Sequence, residues 1–306
     1  MNTELFFKDQ IESSPEIAAA FENLYQSKTR EITFNGFSYT LQLNPARIKS
    51  STADISKPLD ESACFLCSNN MPTYQKRAIY DDNFFISVNP YPILKRHLTI
   101  INRRHTPQTI HNFILTMLHL AYDMQDMVVF YNSPKSGASA PFHSHFQAGL
   151  RTSLPLFMQV EEIRKIYTMQ HTDDTWIVDD QTRRFVVIES QDINIAKDKA
   201  ENILQQICKI YNTNEPEANI GVEHINNTYR IIILPREKHR PTEYTRNTNP
   251  ILVSPGFADM AGIIPCCLPN NYNTITSNDI KSIISQVSIT KEKIESLKIE
   301  RNALQN

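Results

Sequence analysis

Short β-prone runs on both sides of one amphipathic segment constrain the fold of this chain more than any other feature. Apolar side chains recur at helical spacing over residues 110–126, directly after Thr106-Pro107, and predict a helix that packs along one face. β-Prone runs flank this segment at residues 84–88, 98–101 and 128–131. These elements favour an antiparallel sheet with one long helix, which is an α+β fold.

The second half of the 306-residue chain repeats this style. Its predicted elements are strands over residues 185–188 and 229–234, a helix over residues 196–210, and a final helix after Ser277 that runs into a solvated Lys/Glu-rich end. A weak repeat relates residues 100–107 to residues 233–241, since each runs from a strand through a basic turn to a histidine and a proline. Duplication into halves of about 150 residues is one explanation, and chance is the other.

Two local signals lie near the start of the chain. Ser14 followed by Pro15 predicts the entry of a helix, with serine as the cap and proline in the first turn. Asn35-Gly36 stands between two β-prone runs and predicts a hairpin near residues 31–43.

Charge and composition exclude several classes of protein. The 31 Lys and Arg residues against 33 Asp and Glu residues give a net charge of −2, which argues against a nucleic-acid binder. With 41% hydrophobic residues the chain can bury a sizeable core, and its longest apolar stretches are far shorter than the ~20 residues that span a bilayer. The first residues contain neither a basic nor an apolar targeting region, so we expect a cytoplasmic protein without a membrane segment.

The segment from Asn132 to Gln147 carries the most chemical information. If residues 143–147 are extended, His143, His145 and Gln147 point to the same side, although an exposed polar strand face would give the same pattern. The loop before them supplies a cation, two hydroxyl groups and a glycine: Lys135, Ser136, Ser139 and Gly137. A glycine with positive φ can turn successive N–H groups toward an anion, so this loop suits a phosphate.

Five cysteines are too few for a disulfide framework in a chain of this size. Cys64 and Cys67 form a C-x-x-C between loop-like flanks, which favours half of a zinc site over a redox dithiol or two inert thiols. His105 and His143 are the candidates for the other two ligands. Cys266-Cys267 is different, because adjacent strand residues face opposite ways, and a buried core strand is expected there.

Three segments together resemble the histidine-triad superfamily: residues 89–92 (Asn-Pro-Tyr-Pro), residues 97–105 (a histidine, a strand, a basic turn and a second histidine) and residues 130–147. They are similar to the branch of galactose-1-phosphate uridylyltransferase, diadenosine tetraphosphate phosphorylase and GDP-hexose phosphorylase, over about residues 64–150. Residues 249–256 are similar to the GDP-hexose phosphorylases, more loosely.

The resemblance implies a fold of two histidine-triad-like halves, each an antiparallel sheet with helices, that form an intramolecular pseudo-dimer. Residues 1–160 would be the catalytic half with the zinc site, and residues 161–306 a degenerate second half. Because the second half has no H-x-H of its own, one active site per chain is expected.

The resemblance also implies roles for individual residues. His145 matches the nucleophile that becomes nucleotidylated, and Gln147 matches the residue that holds the phosphate. The implied zinc ligands are Cys64, Cys67, His105 and His143. Asn132, Ser136 and Ser139 match positions that contact the reacting phosphates, while Arg47 and Lys49 match basic residues that meet the sugar phosphate.

The activity implied is that of a nucleotidyltransferase that cleaves a nucleoside diphosphate hexose, GDP-hexose first, with inorganic phosphate through a covalent nucleotidyl-histidine. Structural zinc would be the cofactor, and the partners would be a nucleotide sugar and phosphate rather than nucleic acid or membrane. One alternative is a dinucleoside polyphosphate (diadenosine tetraphosphate) phosphorylase. The other is a zinc-stabilised nucleotide-binding protein without catalysis.

Overall fold

A ten-stranded sheet runs through the whole molecule in the computed structural model, which describes residues 2–48, 52 and 59–299. The strands are β1 (Thr29–Phe34), β2 (Phe37–Leu43), β3 (Ala78–Ile79), β4 (Phe84–Val88), β5 (Leu98–Asn102), β6 (Met127–Asn132), β7 (His145–Leu150), β8 (Thr168–His171), β9 (Thr175–Asp179), β10 (Arg184–Ser190), β11 (Ala218–Ile225), β12 (Thr228–Pro235) and β13 (Ile263–Cys266). The helices are α1 (Thr3–Ser13), α2 (Pro15–Tyr25), α3 (Ile114–Asp123), α4 (Pro155–Tyr167), α5 (Ile193–Tyr211), α6 (Phe257–Met260), α7 (Pro269–Thr274), α8 (Ser277–Val287) and α9 (Lys291–Glu295).

The order of the large sheet is β3-β4-β5-β7-β6-β11-β12-β10-β9-β8. It divides into two groups of five strands that meet where β6 pairs antiparallel with β11, with Asn132 opposite Asn219. In the first group α3 connects β5 to β6, and in the second group α5 connects β10 to β11. β5 and β10 are each the third strand from the outer edge of the sheet, and β6 and β11 are the two central strands. The predicted α+β fold of two similar halves in one chain is therefore confirmed.

The strand order corrects the repeat that the sequence suggested. By position in the sheet, β5 corresponds to β10 and β7 corresponds to β12. The sequence repeat instead aligned residues 100–107, at the end of β5, with residues 233–241, at the end of β12. That alignment is wrong, because a basic turn followed by a histidine and a proline is a common way to leave a strand.

The division at residues 160 and 161 stays a prediction, and it falls inside α4. The halves also interleave elsewhere. Strand β13, from late in the chain, pairs parallel with β2 of the early hairpin in a separate three-stranded sheet.

Two hydrophobic cores lie on opposite faces of the large sheet. One core packs α3 and α5 against the strands, and the other packs the β1–β2 hairpin, α4, α6 and α8 against them. Because both faces are covered, β6 and β11 consist almost wholly of buried residues instead of alternating buried and exposed ones. Cys266 and Cys267 are buried as predicted, with Cys266 at the end of β13.

Local sequence signals placed most of these elements. Ser14 caps α2 by accepting a hydrogen bond from the Ile17 N–H at 3.2 Å, and Pro15 is the first helical residue. The hairpin turns through Asn35 and Gly36, both with positive φ, 52° and 71°. No helix within residues 2–48 and 59–299 is long and apolar enough to cross a membrane.

One predicted helix is shorter than its apolar pattern. The pattern covered residues 110–126, and α3 covers Ile114–Asp123. A carboxylate from the second half, Glu215, accepts hydrogen bonds from Thr109 Oγ1 at 2.8 Å and from the Ile110 N–H at 3.0 Å. This tertiary contact holds the entry segment outside the helix.

Candidate active site and metal centre

A cleft of about 440 Å³ opens where β6 and β7 diverge. Their last ladder pair is Phe130 opposite Gln147, and residues 133–144 form the loop between them. Side chains from both halves line the cleft. The residues in it that the sequence had singled out are Arg47, Asn132, Gly137, Ser139, His145 and Gln147.

His145 is the first residue of β7, and its ring faces the cleft. Its Nδ1 lies 2.8 Å from the carbonyl oxygen of His143. Because a carbonyl oxygen only accepts, the hydrogen-bond network assigns the proton to Nδ1 and leaves the lone pair on Nε2. Burial lowers the pKa of His145 to about 4, so the imidazole is neutral near pH 7 and Nε2 is available as a nucleophile.

Gln147 is oriented by a histidine that sequence reasoning did not place in the site. The fully buried His97 accepts a hydrogen bond at Nδ1 from the Ile93 N–H at 3.3 Å, so its proton lies on Nε2. Nε2 then donates to Gln147 Oε1 at 2.9 Å. The amide oxygen of Gln147 is thereby occupied, and its NH2 group is the part that can donate to a phosphate. Burial lowers the pKa of His97 to about 3, which keeps this ring neutral.

Asn132 is held in a similar way at the end of β6. Its Oδ1 accepts hydrogen bonds from Asn219 Nδ2 and from the Phe257 N–H, both at 2.7 Å. The side chain of Asn132 lines the cleft, and its own NH2 group is left as a donor toward it.

The predicted anion loop adopts the glycine conformation that the sequence suggested. Gly137 has φ +87°, and its N–H donates to His239 Nδ1 at 3.2 Å. Ser139 lines the cleft, whereas Ser136 is fully buried behind it and accepts a hydrogen bond from Ser133 Oγ at 2.7 Å.

The predicted cations do not all lie in the cleft. Arg47 lines the cleft and donates through Nη1 to the Tyr91 carbonyl at 2.9 Å. Lys135 does not line it; its side chain is 73% exposed, and its ammonium lies 3.9 Å from Glu217. Lys49 lies outside the described residues.

A candidate metal centre lies beside the cleft. The ligand atoms of Cys64, Cys67, His105 and His143 all lie within 4.8 Å of one another. Nδ1 of His143 is 3.3 Å and 3.5 Å from the two thiols, and Nδ1 of His105 is 3.3 Å from Cys67 Sγ. Tetrahedral zinc with ordinary bond lengths separates sulfur and nitrogen ligands by about 3.5 Å, so these four side chains could hold one metal ion.

The hydrogen bond made by the other ring nitrogen of His143 is also consistent with metal binding through Nδ1. Its Nε2 donates to the Asn102 carbonyl at 2.8 Å, which leaves Nδ1 as the ligand atom. Because His143 precedes β7, strand alternation does not apply to it, and its ring faces the thiols. The predicted shared face therefore holds for His145 and Gln147 only.

Comparison with known proteins shows which solved structures share this fold. A family described as "Domain of unknown function (DUF4922)" matches residues 6–150, and no curated protein matches the sequence. The structure of yeast Ap4A phosphorylase in complex with AMP aligns with a TM-score of 0.61 at 13% identity, over 92% of this chain and 95% of the yeast chain. The complex with Ap4A gives a TM-score of 0.59 at 13% identity, over 92% and 97%. The chain has the Ap4A phosphorylase fold. This confirms the predicted resemblance at the level of the fold.

An ADP-glucose phosphorylase from Arabidopsis thaliana aligns less closely, with a TM-score of 0.37 at 15% identity, over 69% of this chain and 89% of that chain.

In the second half, ion pairs lie on the strands that correspond to those around His145. His145 lies on β7, between β5 and β6. Arg230 lies on the corresponding strand of the second half, β12, between β10 and β11. Arg230 contacts Glu223 at 2.8 Å and Glu189 at 2.6 Å, and Arg151 contacts Glu223 at 2.6 Å. Glu189, Glu223 and Arg230 lie on β10, β11 and β12, the strands that correspond to β5, β6 and β7.

Several cleft residues were not predicted as site residues from the sequence, although His239 and Arg240 lie in the basic turn of the suggested repeat. His239, Arg240 and Asp259 reach the cleft from the second half, more than 90 residues after His145. Asp259 is 8% exposed and accepts a hydrogen bond from the Gly256 N–H at 3.0 Å. Burial raises the pKa of Asp259 to about 6 against the opposing charges of Arg47 and Arg236. His97 did have a signal, since it opens the second segment of the resemblance.

Proposed function

We propose that the protein is a nucleotidyltransferase that acts as a phosphorylase on a nucleoside diphosphate hexose, with GDP-hexose as the first candidate. The observation that carries this proposal is the pair on β7: a neutral His145 with its Nε2 lone pair toward the cleft, beside Gln147 with its NH2 group free to donate. A protein that only binds nucleotides needs no such nucleophile.

The proposed reaction has two in-line steps. His145 Nε2 attacks the α-phosphorus, and the bond to the leaving hexose 1-phosphate breaks as the N–P bond forms. An oxygen of inorganic phosphate then attacks the same phosphorus, and the N–P bond breaks to release the nucleoside diphosphate. Donors from Gln147, Asn132 and Ser139 would meet the charge on the equatorial oxygens.

Asp259 supports a sugar as part of the substrate. A carboxylate accepts hydrogen bonds from hydroxyl groups and repels phosphate oxygens. It lines the same cleft as Arg47, so the cleft offers one group suited to phosphate and one suited to hydroxyls.

A dinucleoside polyphosphate phosphorylase is the second candidate. It is favoured by the likeness to the yeast Ap4A phosphorylase fold over 92% of this chain. Comparing kcat/KM for GDP-, ADP- and UDP-hexoses and for Ap4A, each with phosphate, decides between the two. A tenfold preference, about 1.4 kcal/mol of transition-state binding, assigns the substrate class.

The covalent step has its own test. Substrate without phosphate should leave an acid-labile nucleoside monophosphate on His145, seen as a mass increase in the intact chain. His145→Ala should abolish both the adduct and turnover, while His224→Ala, a histidine on β11 of the second half, should retain both. Turnover that persists in His145→Ala would refute the mechanism. An absence of turnover with every substrate would favour the non-catalytic binder.

We further propose that the four-ligand cluster holds structural zinc. A closed Cys2His2 set leaves no position for water, and it would tie the Cys64–Cys67 loop to the segment that precedes β7. Metal analysis should give one zinc per chain. Cys64→Ser should lose it, and Cys208→Ser, a half-buried cysteine on α5, should keep it. A metal-free wild-type chain would overturn the assignment.

A further inference from the structure

We propose that Gln108 is a positioning residue that fixes the backbone of the nucleophile, an inference that rests on the proposed role of His145. Gln108 lies in the connection between β5 and α3, is 3% exposed, and does not line the cleft. Its side chain reaches the point where β6 and β7 separate.

Three hydrogen bonds define this contact. Gln108 Oε1 accepts from the His145 N–H at 2.8 Å. Its Nε2 donates to the carbonyl oxygens of His145 and Asn132, both at 3.0 Å. One side-chain amide thus serves both backbone polar groups of His145 and joins them to the end of β6.

This arrangement replaces a missing piece of the sheet. The β6–β7 ladder ends at Phe130 opposite Gln147; continued in the same register, it would set Tyr131 opposite Phe146 and then Asn132 opposite His145. There the strands part to admit the 133–144 loop, and the Gln108 amide takes the place of the peptide group that β6 would have offered. A buried N–H and C=O left without partners would otherwise be costly, and the segment would move to find them.

The position of the His145 backbone affects catalysis because the reaction rate depends on where the reacting nitrogen lies. The ring of His145 is fixed by its bond to the His143 carbonyl, so its direction depends on the backbone at residues 143–145. A displacement of about 1 Å at a reacting atom can lower a rate about 100-fold. Gln108 therefore acts on the rate of nucleotidyl transfer without touching the substrate.

The chain contains a matched control. Gln206 on α5 makes the same two-way contact with Lys298: its Oε1 accepts from the N–H at 2.7 Å and its Nε2 donates to the carbonyl at 2.9 Å. No residue of the cleft takes part in that contact. Gln206→Met removes an amide bridge of the same two-way form, in an exposed contact away from the nucleophile.

The experiment compares Gln108→Met, Gln108→Glu and Gln206→Met in the full chain. Methionine keeps the length of the side chain without its hydrogen bonds, and ionised glutamate keeps only the acceptor for the His145 N–H. The single-turnover rate of adduct formation on His145 and the steady-state kcat and KM are measured with GDP-glucose and with Ap4A. We expect both Gln108 variants to lose at least about 30-fold in rate with KM within about threefold, and Gln206→Met to stay within about twofold of wild type.

A second readout does not depend on turnover. Amide hydrogen exchange at His145 should accelerate at least about 100-fold in Gln108→Met, while that of Ala148, further along β7, stays slow. A Gln108→Met protein with wild-type kcat, or with unchanged exchange at His145, overturns the inference. If His145→Ala remains active, the proposed function fails instead, and the exchange result still decides whether Gln108 holds the backbone.

Discussion

At the scale of single residues, two histidines prepare the cleft by holding opposite tautomers. His145 donates from Nδ1 to the His143 carbonyl and presents the Nε2 lone pair. His97 accepts at Nδ1 from the Ile93 N–H and donates from Nε2 to Gln147. A backbone group bound to Nδ1 determines the tautomer of each ring, so the same side chain acts as a potential nucleophile at His145 and as a hydrogen-bond donor at His97.

His97→Leu tests the second of these tasks. Without its donor, the Gln147 amide can rotate and present oxygen to the phosphate, so we expect kcat to fall about 10- to 100-fold, the worth of one charge-assisted hydrogen bond. The measurement is the single-turnover rate of adduct formation. His224→Leu is the control, because that buried histidine of the second half packs between Tyr122 of α3 and Tyr229 of β12. Equal rates in both variants would contradict the role of His97.

The buried carboxyl of Asp259 should make the free energy of unfolding depend on pH. Burial raises its pKa from 3.8 to about 6, so the folded state binds this proton more tightly than the unfolded state. The free energy of unfolding therefore falls as the pH rises from about 4 to 6, and the full cost, about 3 kcal/mol, is present above pH 6. Arg47 and Arg236 oppose the shift, and the Cys266 thiol lies near the same carboxyl.

Asp259→Asn should remove that cost, because an amide oxygen can still accept from the Gly256 N–H. We expect the variant to exceed wild type in unfolding free energy by about 2–3 kcal/mol at pH 7.5 and by about zero at pH 4, as measured by urea denaturation. Asp198→Asn, at a side chain that is 74% exposed, should show no such difference between the two pH values. The same gain at both pH values would rule out the buried charge as its source.

At the scale of elements, the 133–144 loop and the segment before α6 fit together through two glycines. A Cβ on Gly137 would lie 2.3 Å from the Pro255 carbonyl oxygen and 2.6 Å from Gly256 Cα. Arg236, fully buried, donates to the carbonyls of both Ser136 and Pro255, at 3.3 Å and 2.8 Å. The predicted anion loop of the first half is therefore shaped by the second half.

Gly137→Ala should cost much more than backbone strain alone. Gly36 has a similar φ of +71° with nothing within 4 Å of an added Cβ, so Gly36→Ala carries only the left-handed penalty, about 1 kcal/mol. Gly137→Ala adds a collision with backbone, and we expect it to lose about 3 kcal/mol and most of its activity. Denaturation and adduct formation are measured for both variants. Equal losses of stability would show that the loops do not fit as closely as described.

At the scale of the whole molecule, the second half supports one cleft and lacks the residues of another. Arg230→Met breaks contacts to Glu223, whose side chain is 1% exposed, and to Glu189. Removing one partner of a buried pair leaves an uncompensated charge, so we expect a loss of about 3 kcal/mol in stability with kcat of the folded protein unchanged. Lys197→Met, which removes a partly exposed contact with Glu201, should cost about 0.5 kcal/mol or less. A loss of kcat in Arg230→Met at temperatures where it is folded would contradict this division of labour.

Local patterns in the sequence determined the elements and the chemical groups. The Asn35-Gly36 turn, the Ser14 cap and the β-prone runs depend on short-range sterics and hydrogen bonds, so they could be located without the fold. The H-x-H-x-Q and C-x-x-C spacings likewise gave the candidate nucleophile and half of the metal cluster, because strand alternation and loop closure act within a few residues.

Only the tertiary structure decided how distant segments meet. The misaligned repeat, the shortened α3 and the arrival of Asp259 and His239 in the cleft all depend on strand order and on contacts between residues about 100 positions apart. The same is true of Gln108, whose amide finds its partners 24 and 37 residues later in the chain. Sequence periodicity carries no record of such pairings, because the free energy that selects them comes from burying polar groups and apolar faces together when the two halves close on one sheet.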